Sequence, residues 1–479
     1  MLHPTAWWGI LLSLLVAGCT VGPNYRRPET PVPQTWTEVS DGLTAEPANI
    51  AQWWTLFDDE QLDSLVDQAV RWNKDLQLAE ARIRQARAQR RVTASSAFPT
   101  LNASGSYSRI ERSSAFSSLG AGTTGAVGGF LPGGSGGPFN LFQTGLDASW
   151  EADLFGGVRR SVEAANADIA ASQENLNDAL VTLLGEVATN YFQIRGNQRR
   201  IEIARQNIET QRQTVQVARG RFSAGLGSRL EAVQAEALLA TTESQIPALD
   251  GAVKQSIHQL GVLLGTEPGA LLQKLSPPKP LPPAPPEVPL GLPSDLLRRR
   301  PDIRRAERQL AAATARIGVA VADLFPKLSL TGSAGYQSTK GSELVRPHNE
   351  FWTYGPGLTL PLFDAGRIRG NIQVQNALQE QALITYQSTV LTALQDVENA
   401  VVSYADAKAA REALVRAVAA NREAAQISSE VYQKGLTDFL NVLQSEGALY
   451  QVEDQLMQNE QQTLTALVAL FKALGDVAD

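Results

Sequence analysis

The chain repeats itself, and that repeat limits its fold more than any other feature. Phe222-Ser223-Ala224-Gly225-Leu226 returns 210 residues later as Tyr432-Gln433-Lys434-Gly435-Leu436. At the same offset Leu230 matches Leu440, Val233 matches Leu443, Glu236 matches Glu446 and Leu239 matches Leu449. Upstream, Asn166-Ala167 and Glu186-Val187 reappear as Asn376-Ala377 and Asp396-Val397. Further back, Phe98-Pro99-Thr100-Leu101 corresponds to Phe325-Pro326-Lys327-Leu328, and Leu154-Phe155 to Leu362-Phe363. One structural unit is therefore used twice. Residues 98–154 of the first copy outnumber residues 325–362 of the second by 19, and the excess falls near the Gly-rich stretch 117–138. An insertion of that composition belongs in an exposed loop.

Proline placement divides each copy. Residues 139–246 and 362–479 hold none, whereas ten of the 25 prolines lie in 277–301, an extended linker between the halves. Five more lie between residues 23 and 47, in an extended N-terminal lead. From Val158 the apolar or small positions run Val162, Ala165, Ile169, Ser172, Leu176, Ala179, Leu183, then Val187, Tyr191, Ile194, Ile201, Ile208, Val215 and Phe222. Steps of three and four predict a coiled-coil seam. A helix over 158–224 would be about 100 Å long at 1.5 Å per residue. Gly225 is placed to end it as a C′ glycine, and Ser228-Arg229-Leu230-Glu231 reads as a capping box opening the next helix. The second copy turns at Gly435 and restarts at Asp438, so two helical hairpin tips are expected far from the strands.

Four segments alternate with period two. In 142–155, Phe142, Thr144, Leu146, Ala148, Trp150, Ala152 and Leu154 interleave with polar residues and Gly. Segments 352–362, 328–337 and, more weakly, 100–109 do the same. About ten residues suits a tilted transmembrane β-strand, although alternation alone leaves a soluble half-buried sheet open. Tyr107, Trp150, Tyr336, Trp352 and Tyr354 suit interfacial girdles. Four strands cannot close a barrel, and an open edge in lipid costs several kcal/mol per unsatisfied group. Two chains would give eight strands and little lumen; three would give twelve and a hollow. A barrel here implies an oligomer.

Residues 6–18 form an apolar run that stops at Cys19, the single cysteine of the chain. The run fits a secretory h-region. Val16-Ala17-Gly18-Cys19 resembles a lipobox, which would make Cys19 the acylated first residue of the mature chain; Thr20 is not the Asp of inner-membrane retention. The n-region lacks Lys and Arg, a departure from that pattern. One cysteine rules out a disulfide framework or Cys-based zinc site. The three histidines lack ligand spacing, and only two methionines are present. Net charge is −7 and pI about 5.3, against a general nucleic-acid binder. No apolar run reaches the length of about 18 residues expected of a membrane-spanning helix. Neither a phosphate-binding loop nor an HExxH or convincing Ser/His/Asp set occurs, so no enzyme and no cofactor is expected.

The chain resembles the outer-membrane factor family, the TolC-like exit ducts, and within it the OprM-like lipoprotein branch. The carrying residues are Cys19-Thr20-Val21-Gly22-Pro23-Asn24-Tyr25, Trp53-Trp54 with Phe57-Asp58, and Trp150-Glu151-Ala152-Asp153-Leu154-Phe155-Gly156. To these are added Leu296-Leu297-Arg298-Arg299-Arg300-Pro301-Asp302-Ile303-Arg304-Arg305-Ala306-Glu307 and Ala322-Asp323-Leu324-Phe325-Pro326. The arginine run could suggest nucleic acid, but Pro301 and Asp302 mark a helix start.

The resemblance implies a mainly α fold with a small antiparallel β part. Long antiparallel helices would form an α-barrel, and two β-hairpins would give four strands to a twelve-strand barrel shared by a homotrimer in outer-membrane lipid. The expected organisation is a signal peptide at 1–18, then a lipid-anchored extended and equatorial segment at 19–72 and a helix at 73–97. The first β-hairpin follows at 98–155, and a helical hairpin at 156–264 has its tip at 225–228. After a Pro-rich equatorial segment at 265–300 come a helix at 301–324, the second β-hairpin at 325–363 and a helical hairpin at 364–474 with its tip at 435–438. Residues 475–479 form a tail.

Function is expected to be that of a tripartite efflux duct, working with a periplasmic membrane-fusion adaptor and an inner-membrane pump of RND type and passing drugs or small toxic compounds. A metal-cation duct, a type I secretion duct and a structural coiled-coil lipoprotein are the alternatives. By position the resemblance puts the periplasmic constriction on Leu440, Asn441 and Gln444, with Tyr432 tying neighbouring helices. Relatives often carry acids at the last two constricting positions; here they are amides. Leu440 would close the pore sterically, with weaker cation block than an acidic ring gives, unless Glu231, Asp438 or Glu446 restores charge. Gly225, Leu226, Gly227, Ser228, Gly435, Leu436 and Thr437 are the candidate adaptor-docking residues.

Overall fold

The computed structural model describes residues 20–37, 43–44, 51–111, 138–285 and 288–475. Cys19, the signal segment and nearly all of the Gly-rich stretch lie outside the described residues. The chain divides into two compact units, the first made of residues 1–26, 87–167 and 311–381, the second of the remainder.

Four strands form the sheet of the first unit: β1 Thr100–Ile110, β2 Phe139–Ala152, β3 Lys327–Ser338 and β4 Glu350–Thr359. All neighbours are antiparallel and the order is sequential, β1-β2-β3-β4, so the outer edges of β1 and β4 have no partner among the described residues. The register aligns Ala103, Leu146, Ala334 and Trp352 across all four strands. Trp150, Leu330 and Pro356 make a second such row. Because side chains alternate, Asp147, Ser333 and Thr353 line up on the opposite face with Asn102. Strand β2 ends at Ala152, short of the expected Leu154, because the Asp153 carboxylate turns away to accept the Val158 and Arg159 amides at 3.1 and 2.9 Å. Strand β4 stops at Thr359 for a related reason: Pro361 has no amide to donate. Pro356 is tolerated because β4 is an edge strand within the chain.

The helices are α1 Glu60–Trp72, α2 Lys74–Ser95, α3 Gly157–Ser223, α4 Arg229–Glu243, α5 Gln245–Leu263, α6 Pro301–Ala322, α7 Arg367–Gln433 and α8 Phe439–Leu474. The repeat is visible in α3 and α7, each 67 residues long. Where the second copy returns as the single helix α8, the first returns as α4 and α5, broken at Ser244. Pro247 explains the break, since its ring clashes with the carbonyl four residues back, at Glu243.

The expected seam on α3 holds in the middle, where Val187, Tyr191, Ile194, Ile208 and Val215 are buried. It fails at both ends. Near the start the buried residues are Arg160, Ala164, Ala171 and Glu174, while Val158, Val162 and Ala165 stay partly exposed; at the far end Phe222 is exposed. A helix with neighbours on two sides does not keep its apolar residues in one stripe.

The core of the second unit gathers the aromatic motif residues. Trp53 stacks on Phe471 at 5.1 Å, and Phe57 packs on Phe192 at 4.9 Å. Asp58, at φ +50°, turns the chain so that Asp59 caps α1 and also accepts the Tyr191 hydroxyl at 2.6 Å. Arg195, fully buried beneath them, donates to Gln61 Oε1 and Gln198 Oε1, both at 2.6 Å, and to the Pro277 carbonyl at 3.0 Å. One guanidinium thus fastens the start of the proline linker to α1 and α3.

Candidate functional site

The sheet is the first candidate. Its apolar rows lie open: Tyr354, Trp352, Leu358 and Leu101 are 79, 70, 70 and 68% exposed. Over the middle of the strands the face opposite carries Asn102, Ser104, Gln143, Asp147, Ser333 and Thr353, with Phe139, Leu141 and Phe351 toward one end. An exposed apolar band of this kind needs a nonaqueous neighbour, and outward apolar, inward polar alternation is the pattern of a membrane barrel wall.

The first unit also holds the segment that follows Cys19. Val21 donates to the Phe155 carbonyl at 3.2 Å. The buried Arg160 guanidinium reaches the Val21 carbonyl at 3.1 Å, the Gly22 carbonyl at 3.3 Å and Asn24 Oδ1 at 2.7 Å, and pairs with Glu163 at 2.8 Å. Gly22, at φ +87°, crosses Gly318 so closely that a Cβ would lie 2.5 Å from the Gly318 Cα. The leader is therefore strapped to the base of α3 and to α6, which places the residue after Cys19 at a fixed point beside Gly156.

The two hairpin tips are the second candidate, and they lie in the second unit. Gly225 and Gly435 have φ +72° and +74°. Each closes its helix in the same way: Gly225 donates to Phe222 and Leu226 to Arg221, and Gly435 donates to Tyr432 and Leu436 to Val431. That is the Schellman arrangement, which only a residue without Cβ penalty enters readily. Ser228 and Glu231 form a reciprocal capping box, whereas the Asp438 carboxylate makes no cap bond and Asn441 bonds to Thr437 Oγ1 at 2.8 Å. Leu226, Leu436 and Leu440 are 70, 74 and 51% exposed. Asn441 and Gln444 share the exposed side of α8 with Leu440, opposite the buried Phe439, Val442 and Glu446.

Tyr432 joins the two hairpins. Its ring packs on Phe439 in a cluster with Val215, Ala218, Ala232 and Val442. The Arg221 guanidinium lies 4.8 Å over the ring, and the hydroxyl donates to Glu231 Oε2 at 2.9 Å. Burial first, and then the Glu231 carboxylate, push this phenol up to about 12. The one side chain thus both packs on Phe439 and bonds to Glu231. Glu446 departs from expectation: it is buried against Thr214, so it supplies no charge to the exposed side of the tip. Glu231 is spent on its cap and on Tyr432, which leaves Asp438 as the exposed acid among the three.

The arginine run is also accounted for. Arg300 pairs with Asp302 at 2.7 Å and Asp396 at 3.0 Å and donates to the Ala473 carbonyl; Arg304 pairs with Glu174 and Arg305 with Asp178, both at 2.7 Å. These cations join helices. Among the described residues no group of three or more His, Cys, Asp or Glu could hold a metal, and no helix is long and apolar enough to cross a membrane.

A four-stranded sheet with one exposed apolar face, in one chain with two long helical hairpins, defines a channel-wall protein whose membrane part is made of strands. Comparison with known proteins gives the family. Residues 65–266 and 292–476 match the outer membrane efflux protein family, and the chain belongs to it. It is 32% identical over 465 residues to the pyoverdine export outer membrane protein OpmQ of Pseudomonas aeruginosa, covering 96% of this chain and 94% of that one. It is 30% identical over 482 residues to the cation efflux system protein CusC of Escherichia coli, covering 97% of each. Among solved structures it matches the outer-membrane channel OprN with a TM-score of 0.85 at 35% identity, over 95% of this chain and 99% of that one. The protein is an outer-membrane efflux channel.

Proposed function

We propose that three copies of this chain assemble into the outer-membrane duct of a tripartite efflux system. The observation that carries the reading is the open four-stranded sheet: in lipid, unpaired edge amides and carbonyls cost several kcal/mol each, so β1 of one copy must pair with β4 of the next. Four strands from each of three copies make twelve, enough for a hollow barrel. The polar face then lines the lumen and the aromatic rows meet lipid. Acylated Cys19 would add a lipid anchor at a place set by the Arg160 strap.

At the periplasmic end the exposed leucines and glycine turns of both tips are the surface for a membrane-fusion adaptor, with an inner-membrane pump of RND type behind it. Leu440, Asn441 and Gln444 form the constriction, closed by leucine packing and by neutral hydrogen bonds that are weaker than charged ones. Opening is a population shift in which adaptor contacts favour the splayed tip. Small toxic compounds or drugs are the cargo class; a pyoverdine exporter and a cation exporter are about equally similar to this chain, so selection is assigned to the pump. The test combines detergent-corrected light scattering with planar-bilayer conductance of the purified full-length chain. Trimers that conduct ions are expected; monomers that leave bilayers sealed would refute the reading. Mass spectrometry of the mature N-terminus checks the acyl group on Cys19.

A further inference from the structure

Polar rungs as well as apolar clusters join the two hairpins. Asn207 donates to Glu453 at 3.1 Å and Thr214 to Glu446 at 2.7 Å, so α3 and α8 run antiparallel, seven residues forward on one for seven back on the other. Gln211 lies between these two rungs on the buried side of α3, with Ile208 and Val215. It is 2% exposed and Glu446 is 7% exposed. Among the described residues neither polar atom of Gln211 has a hydrogen-bond partner, and Glu446 Oε2 has none. Apolar clusters flank the pair, Val215, Phe439 and Val442 toward the tip and Ile203, Ala204 and Tyr450 away from it. Glu236, the repeat counterpart of Glu446, instead sits at the surface on Arg219.

An ionised Glu446 can only accept, so it can satisfy the amide of Gln211 but never its carbonyl. A protonated Glu446 has one hydroxyl to give, so it can meet both the carbonyl and the N–H of an amide such as that of Gln211, whose polar atoms are unbonded in the structure. Among the described residues no cation pairs with the carboxyl. On α3, Arg212 is engaged by Glu209 and Glu243 and Arg219 by Glu236, the last two acids being those of α4; on α7, Arg422 is taken by Glu453 of α8; on α5, Lys254 is taken by Asp250.

We propose that Glu446 and Gln211 form a proton-binding site in the seam between the two hairpins, and that the seam loosens as the proton leaves. This rests on the reading of the tips as the closing end of the duct. Burial raises the Glu446 carboxyl above its usual 4.5, opposed by the Thr214 hydroxyl, which favours the ionised form. The sign follows. The packed seam holds the proton more tightly than a hydrated one, so its stability is full below about 4.5 and falls as pH climbs to the raised value. Each tenfold preference of the packed state for the proton becomes a tenfold shift from closed to open across that window. The duct shuts in acid.

The test measures resting conductance of the full-length channel in planar bilayers from acid to alkaline pH, together with the protonated-carboxyl stretch in difference infrared spectra. Wild type is expected to rise in conductance with pH, losing the carboxyl band over the same range. Glu446→Gln, a fixed neutral isostere, is expected to stay at the acid level and lack the band. Thr214→Val is expected to move the midpoint to higher pH and serves if Glu446→Gln fails to assemble. An unchanged pH response in Glu446→Gln, or an unmoved midpoint in Thr214→Val, overturns the proposal. A wild-type channel silent at every pH removes the duct reading instead, and the infrared titration then decides the proton site by itself.

Discussion

Replacing Tyr432 with Phe isolates one bond between the two hairpins. The ring contacts with Phe439 and Arg221 survive, and only the hydroxyl bond to Glu231 Oε2 at 2.9 Å is lost. Hydrogen bonds to charged groups contribute about 1.5–3 kcal/mol net. Glu231 is only half-buried and keeps its bonds to the Ser228 amide and hydroxyl, so water readily takes the freed oxygen and the lower figure applies. About 1.4 kcal/mol is tenfold in an equilibrium, so Tyr432→Phe should raise the open fraction, and with it resting bilayer conductance, about tenfold. Since the phenol is pushed up to about 12, it stays a donor at any working pH, and the gain should not vary with pH as that of Glu446 does. Glu231→Gln and the double variant complete a cycle whose coupling term isolates the bond. Conductance within twofold of wild type, with assembly intact, would refute a tethering role and leave Tyr432 as packing alone.

Gly22→Ala adds a Cβ 2.5 Å from Gly318 Cα at a positive φ, and Arg160→Met leaves the Val21 and Gly22 carbonyls without their donor. Both should lower the midpoint of heat-induced dissociation, the second by an amount equivalent to about 1–3 kcal/mol; unchanged midpoints would mean the strap bears no load. Leu146→Arg, mid-strand on the apolar face, should cost about 2–4 kcal/mol in lipid and deplete the membrane fraction, whereas Ser333→Arg on the opposite face should not; equal loss from both would undo the assignment of faces. Hydrogen exchange should be about fivefold faster in the first turn of α8 than of α4, since a side-chain cap contributes about 1 kcal/mol; equal rates would contradict it.

Much of this was legible because it is local. Glycine at two equivalent tips, Ser three residues before Glu, and alternation in four segments depend only on backbone conformation and side-chain period, and the sheet and both turns follow them. What escaped depends on partners distant in sequence. Arg195 occupies the apolar stripe four residues after Tyr191, and its burial is made tolerable by Gln61, Gln198 and the carbonyls of a proline linker some eighty residues on. Arg160 is similarly explained by the leader it clasps. Glu446 shares a helix with Leu440 and Gln444, and a phase of 100° per residue does not say which of them turns inward. A signal existed in Pro247, which forecasts the break at Ser244, and in the arginine at a seam position, which had to be either strained or satisfied.

The two tips arise from one repeated unit but no longer close alike. After matching glycine turns, the first is locked by its own side chains, Ser228 and Glu231, while the second begins α8 with an uncapped Asp438 and only the Asn441–Thr437 contact. The second hairpin is held instead by what the first offers it: Glu231 to Tyr432, Thr214 to Glu446, Asn207 to Glu453 and Arg200 to Asp454 at 2.6 Å. An element that must switch between two packings needs contacts that water can replace at small net cost, and hydrogen-bonded rungs meet that need because folding exchanges them for bonds of similar strength. A continuous apolar seam would not, since each separated side chain would expose area at about 25 cal/mol per Å². Under the gating proposed above, the divergence of the repeat gives the self-capped hairpin the part of frame and the partner-held hairpin the part that moves against it.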